Sequence, residues 1–475
     1  MATGLLAHLS NLLHMKIKDL TPRKYESIYE IAYLLFGRAS IFVVSINMMV
    51  LNVGALILYY MLIGDIGSSL MINLLVGPPV DGKQASLDDQ DWTVKFACNR
   101  VTQIVVVGAL LLLVVFKRRL NEMKMISFLF LAIVGLFLVL LSAMAASENV
   151  SETADFDDLT RVKPSAHLVT AISIIVFAFA TQFIVFPTYT ELERKSTERF
   201  STVSIISVVL LSTAYLATAV CGLLIFGAAT TPDLLENVAT KNGQVSLIIR
   251  LAYIVVLLFH IPYVFFAVKE YSLVMYDELQ NRCLSIHLEE KLIDFYKSQE
   301  EVKKQKRREK EAAAMHLEEN GFELVKSLET DKMIERDDEV TDDDSDRESI
   351  KSQMTATSVK SALTYKQLSD RVFFWVTVSL HSTILLLSIL ISDLTVVFDF
   401  TGGICATLMM FVFPGVGYLV ALRRYGTSRI RKRRDTLAYQ VVSVLLIVLG
   451  FAILGSYISV QVMKALGKIE NKVPE

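Results

Sequence analysis

Long apolar runs, bounded by short polar ones, recur along the chain. Nine of them read as transmembrane helices, near Ile41–Ile63, Val101–Phe116, Met125–Ala145, Ala166–Phe186, Val203–Gly227, Ser246–Ala267, Phe373–Asp393, Thr401–Leu422 and Val441–Met463. A helix rising ~1.5 Å per residue needs ~20 residues to cross ~30 Å of hydrocarbon. Val101–Phe116 is short by that measure and is expected to begin a turn earlier. Buried helices of a soluble protein do not account for so many runs of bilayer length.

Composition agrees with this pattern. A chain of 475 residues would otherwise suggest about three soluble domains at ~150 residues each. Hydrophobic residues make up 53% of it and the mean hydropathy is +0.48, whereas globular domains are ~45–50% apolar. Of the 96 charged residues, 27 fall in residues 301–350, so the rest of the chain is poorer in charge than the 20% average implies. This excludes an ordinary soluble enzyme, a disulfide-rich secreted domain and a fully disordered chain. The expected class is an all-α polytopic membrane protein.

The net charge of −2 hides a sorting by side. Lys16, Lys18, Arg23, Lys24 and Arg38 precede the first span, Lys117–Arg119 follow the second, Arg194, Lys195 and Arg199 the fourth, and a dense run from Arg423 to Arg434 the eighth. The alternate loops carry acids such as Asp81, Asp88, Asp89, Asp155 and Asp157. By the positive-inside rule the N-terminus is cytosolic and the C-terminus exoplasmic or lumenal. Asn149-Val150-Ser151 is a glycosylation sequon on the expected outer side. Of the four cysteines only Cys98 lies near that side, so no intrachain disulfide is expected. The resulting organisation is a cytosolic segment 1–40, six spans in 41–276, a cytosolic insert 277–371, three spans in 372–463 and a tail 464–475.

The insert starts with an amphipathic helical pattern at Leu288, Leu292 and Phe295. It continues through a basic block at Lys303–Lys310 and an acidic one at Arg336–Glu348. A cytosolic helix followed by a largely disordered linker is expected. Ser345, ahead of Asp346 and Glu348, suits phosphorylation by an acidophilic kinase. The insert is thus the candidate contact for a cytosolic regulator, with a plain solvated tether as the alternative.

No phosphate-binding glycine loop, HExxH or clustered Cys/His pattern occurs. No enzyme activity, metal, cofactor or nucleic-acid partner is expected. The chemistry left is that of polar and helix-breaking residues inside spans, which are costly in hydrocarbon and commonly face a pathway or another helix. These are Asn47, Asn52 and Gly54 in the first span; Thr181 and Gln182, five residues before Pro187, in the fourth; Arg250, His260 and Pro262 in the sixth; His381 in the seventh; and Gly402, Gly403 and Pro414 in the eighth. A helix broken at mid-membrane frees backbone groups that can hold a substrate carboxylate or a cation.

The stretch Ile175–Leu192, with Phe177-Ala178-Phe179, a polar break and then Pro187-Thr188-Tyr189-Thr190-Glu191-Leu192, resembles the sixth helix of the amino acid/auxin permease family. Asn52-Val53-Gly54-Ala55 with Tyr59-Tyr60 resembles its third helix, Arg250-Leu251-Ala252 with Pro262 and Lys269 its eighth, and Gly402-Gly403 through Pro414 and Tyr418 its tenth. Tyr25-Glu26-Ser27-Ile28 ahead of Phe36-Gly37-Arg38 resembles the loop before the third. The resemblance implies a LeuT-type inverted-repeat fold of eleven helices, N-terminally incomplete here at about nine, with Leu5–Leu20 as the tail of helix two. It implies a secondary transporter in a plasma or vacuolar/endolysosomal membrane, moving amino acids, neutral ones foremost, by alternating access. Substrate contacts would come from Asn52, Gly54, Phe179, Ala180, Thr181 and Gln182. Sodium-coupled members carry a Thr where this chain has Leu258, so proton coupling at His260, or uncoupled exchange, is expected rather than Na⁺ symport. The alternative is a non-transporting amino-acid sensor or scaffold acting through the insert.

Overall fold

The computed structural model describes residues 1–21, 27–78, 87, 89–116, 123–147, 166–231, 233–240, 244–319, 369–426 and 433–466. Asn149 and Ser345 lie outside them. The chain divides into two units, Met1–Met275 with Asp370–Glu475, and Tyr276–Ser369.

The first unit is helical, with no strand among the described residues. It contains α1 (Ala2–Leu20), α2 (Ile28–Phe36), α3 (Arg38–Leu75), α4 (Trp92–Ala97), α5 (Arg100–Val115), α6 (Met123–Ser147), α7 (Ala166–Ala178), α8 (Val185–Glu191), α9 (Thr197–Phe226) and α10 (Leu234–Thr240). Then come α11 (Gln244–Asn281), whose last residues enter the second unit, α13 (Asp370–Leu390), α14 (Leu394–Tyr425) and α15 (Arg433–Ala465). Among the described residues, eight stretches are long and apolar enough to cross a membrane: α3, His167–Glu191 through α7 and α8, and α6, α9, α11, α13, α14 and α15; α5 is a shorter apolar helix. The protein is an all-α polytopic membrane protein.

Local chemistry sets several boundaries. Ser27 accepts the Glu30 N–H at the start of α2, and Ser196 accepts that of Arg199 at the start of α9, each satisfying a donor the helix leaves open. Gly37, at φ +81°, turns the chain between α2 and α3 in a conformation that a side chain would strain. The expected earlier start of Val101–Phe116 is not seen. α5 begins at Arg100, where Asn99 caps it, and the preceding turn of helix is the separate α4.

The core of the unit is apolar and centred on α3. Leu56, Tyr60 and Met61 pack with Ile104 of α5, Ile261 and Phe265 of α11, and Ile384 of α13. Outward faces are apolar as well: Ile206, Leu210 and Leu216 on α9, and Leu445, Val448 and Phe451 on α15, are exposed. Facing water this would be an aggregation-prone surface, whereas lipid tails are as apolar as these side chains. α1 packs against α9, α14 and α15, so the first twenty residues belong to the helical bundle and not to a segment ahead of it.

In the second unit α12 (Cys283–Glu319) follows a tight corner at Arg282, φ +52°. The Glu278 carboxylate accepts both the N–H and the hydroxyl of Ser285, at 3.1 and 2.6 Å, and so pins this corner. Leu288, Leu292 and Phe295 lie on α12. The acidic linker lies outside the described residues.

Candidate functional site

The break in the fourth span is real and local. α7 ends at Ala178, Phe179–Thr181 leave the helix, Gln182–Ile184 form one 3-10 turn, and α8 resumes at Val185. Pro187 has no N–H and its ring would meet the carbonyl four residues back, so a continuous helix through this point is disfavoured. The freed groups find partners nearby. Tyr215 of α9 donates its hydroxyl to the Ala178 carbonyl at 3.0 Å and stacks its ring edge to face with Phe179.

Polar side chains from two helices, α1 and α9, converge on this break. Asn11 of α1 donates to Thr181 Oγ1 at 3.0 Å and to Ser204 Oγ of α9 at 3.3 Å. The Gln182 amide N–H donates to Ser10 Oγ and Asn11 Oδ1, both at 3.4 Å. His8 Nδ1 lies 3.1 Å from Ser204 Oγ. Gln182 is 1% exposed, and its Oε1 is buried with no hydrogen-bond partner. The cluster therefore offers an acceptor to an N–H or O–H group and contains no carboxylate. Asn11 and Ser204 escape the sequence reading because one sits in a helix read as a remnant and the other is one of several Ser residues at the start of an apolar run. The signal was there: Ser10, Asn11 and His14 stand on the same turns of α1.

A second group joins α3 to α14. Asn47 donates to the Cys405 carbonyl at 3.0 Å. Gly54 lets Thr401 approach so closely that a Cβ would collide with its methyl group. Asn52 is buried and donates to Met48 O, one turn back on its own helix. α14 is π-helical over Thr401–Ala406 and Leu408–Val412. The expected interruption at Pro414 thus takes the form of a widened helix, with Thr407 Oγ1 bonding the Gly402 carbonyl at 2.8 Å. π-helical turns of this kind often mark functional sites. Gly402 in turn lies against the Ser173 carbonyl of α7, a backbone atom that cannot rotate aside.

A third group surrounds His260. Its ring stacks on Phe130 of α6 with centroids 5.1 Å apart, meets Tyr59 of α3 edge-on at 5.3 Å and lies 5.7 Å from Tyr263. Contrary to the expected opening of the backbone at Pro262, α11 continues through it. Leu258 packs on the apolar core. His381 bonds the Gly108 carbonyl through Nε2 at 3.0 Å between Tyr60 and Phe265, as a helix-packing group would.

Two further polar contacts lie outside these groups. Near the ends of α1 and α8, Lys18 Nζ bonds Asp19 at 2.9 Å and the Tyr189 hydroxyl at 3.1 Å, while Thr197 of α9 donates to Asp19 at 2.8 Å. Deep in the first unit, Arg250 bonds neutral oxygens among the described residues, those of Ser69 and Ser246.

The sequence profile of the family described as "Transmembrane amino acid transporter protein" matches residues 1–458. The chain is similar to amino acid transporter AVT6C of Arabidopsis thaliana, 31% identical over 49% of this chain and 54% of the relative. It is also similar to amino acid transporter AVT6E of the same plant, 24% identical over 52% of this chain and 50% of the relative. The chain thus spans about half the length of each of these relatives in the match. With a match over nearly all of its length, the chain belongs to the transmembrane amino acid transporter family, whose members are transporters and not enzymes.

Proposed function

We propose that this protein moves neutral amino acids across a membrane by alternating access, with the substrate held at the α7–α8 break. The observation that carries this reading is the buried, unpartnered Oε1 of Gln182 beside a non-helical backbone. A buried polar atom without a partner costs ~1–3 kcal/mol, and the ammonium of an amino acid would remove that cost. The surrounding Ser10, Asn11, Thr181 and Ser204 are uncharged, which suits a substrate with no net side-chain charge. The names of the AVT6 relatives support amino acids as the cargo. Asn52 and Gly54, by contrast, act as α3–α14 packing residues in this reading. The inverted-repeat arrangement implied by the sequence resemblance belongs to the same proposal.

A proton is the proposed coupling ion and His260 its carrier. Leu258 presents no oxygen to Na⁺, and the Phe130 ring stacked on His260 offers its face to an imidazolium. The charge sorting supports a cytosolic N-terminus, and a plasma or vacuolar/endolysosomal membrane both fit. The segment beyond α12 is proposed as a regulatory tether. Uptake of labelled amino acids into proteoliposomes tests the proposal. Saturable binding without uptake would instead support an amino-acid sensor.

A further inference from the structure

Asp399 is buried on α14, 5% exposed, two residues before its π-helical stretch. Thr170 of α7 donates to Oδ2 at 3.1 Å, and Lys464 of α15 stands 3.7 Å from the same oxygen. Oδ1 is buried and has no hydrogen-bond partner. A carboxylate with one oxygen held by two helices and the other bare is half satisfied. An added proton on Oδ1 removes the charge that the apolar surroundings disfavour.

From these contacts we infer that Asp399 is a proton-binding site whose occupancy sets how α7 packs on α14, and so regulates access to the α7–α8 break. Ionised, the carboxylate draws Thr170 and Lys464 together. Protonated, it releases Lys464, whose side chain is already 27% exposed at the end of α15 and can reach outward to water. The step moves one proton between solvent and Oδ1, with no other bond made or broken. Thr170 lies on the helix that ends at the break, eight residues ahead of Ala178, or ~12 Å along it. Between the two, Gly402 brings α14 close against the Ser173 carbonyl of α7.

The titratable groups nearby are few. α15 contributes Lys464 and Tyr457; α14 contributes Cys405 and, at its exposed cap, Asp393. α7 contributes the exposed His167, one turn before Thr170. α3 has no charged residue between Arg38 and Asp65, and its titratable residues there are Tyr59 and Tyr60.

The inference rests on the transport reading, but two measurements keep their failures apart. Infrared titration of the purified full chain needs no transport. From about pH 4 to about pH 8, the C=O stretch of a protonated buried carboxyl is expected in wild type, and its loss in Asp399→Asn. Lys464→Met keeps the band and moves its midpoint by about one pH unit or more, because a cation within ~4–6 Å is removed. Amino-acid exchange in proteoliposomes at equal pH on both sides then reads regulation. Wild type varies at least threefold over that range, and Asp399→Asn loses most of that variation. A band that persists in Asp399→Asn, or exchange in that variant as pH-dependent as in wild type, overturns the inference. No exchange by any variant, with the band behaving as expected, overturns the transport reading and leaves the proton site standing.

Discussion

Single polar residues inside this bundle divide by whether their hydrogen bonds are complete. Asn47 donates to a carbonyl of α14 and Asn52 to one of its own helix, and interhelical bonds like the first average only ~0.6 kcal/mol in membrane proteins. Gln182 is different, because one of its atoms is left open. Replacing Gln182 with Leu removes the unsatisfied oxygen, so thermal stability is expected to hold or rise while the apparent affinity for substrate falls tenfold or more; uptake kinetics beside thermal unfolding checks both. His260→Phe is expected to keep the ring contacts to Phe130 and Tyr59 and hence the melting temperature. Accumulation driven by a pH gradient should be lost in it, and undiminished accumulation would remove His260 from the mechanism.

At the scale of elements, α14 is the stiffest joint. Gly402 meets a backbone carbonyl and Gly135 of α6 meets nothing within 4 Å of a would-be Cβ. Gly402→Ala is therefore expected to destabilise by ~1–3 kcal/mol through overpacking. Gly135→Ala is neutral or stabilising by up to ~1 kcal/mol, as for a glycine inside a helix. Outside the spans, Asp233 caps α10 by accepting the Leu235 N–H at 2.9 Å. Burial holds its carboxyl above the ordinary range. A raised acid binds its proton more tightly when folded, so it contributes stability in acid that fades as pH climbs through the carboxylate range. Asp233→Asn keeps the cap and is expected to flatten that part of the stability–pH curve.

The elements themselves were legible in sequence because little besides a membrane helix needs an apolar run of bilayer length. The fourth-span break was legible too, since Pro187 after Thr181-Gln182 leaves the backbone little choice. What stayed hidden depended on which helices meet. Pro262 and Pro414 look alike in sequence, yet one sits in an unbroken helix and the other follows a π-helical stretch. Asp399 reads as the end of a polar loop until α7 and α15 close over it.

For the whole molecule, the charge sorting makes a topological prediction. In intact cells or right-side-out vesicles, a membrane-impermeant thiol reagent should label Asp393→Cys and spare Arg194→Cys until the membrane is opened, both positions being exposed. The reverse pattern would invert the proposed orientation.

The central claim is that the α7–α8 break holds an amino acid in transit. Uptake of labelled neutral amino acids by proteoliposomes carrying wild type or Gln182→Leu tests it most directly. Saturable uptake by wild type, with the half-saturating concentration raised tenfold or more in the variant, is the expected result. Equal half-saturation in the two proteins, or uptake no faster than in empty liposomes, would contradict it.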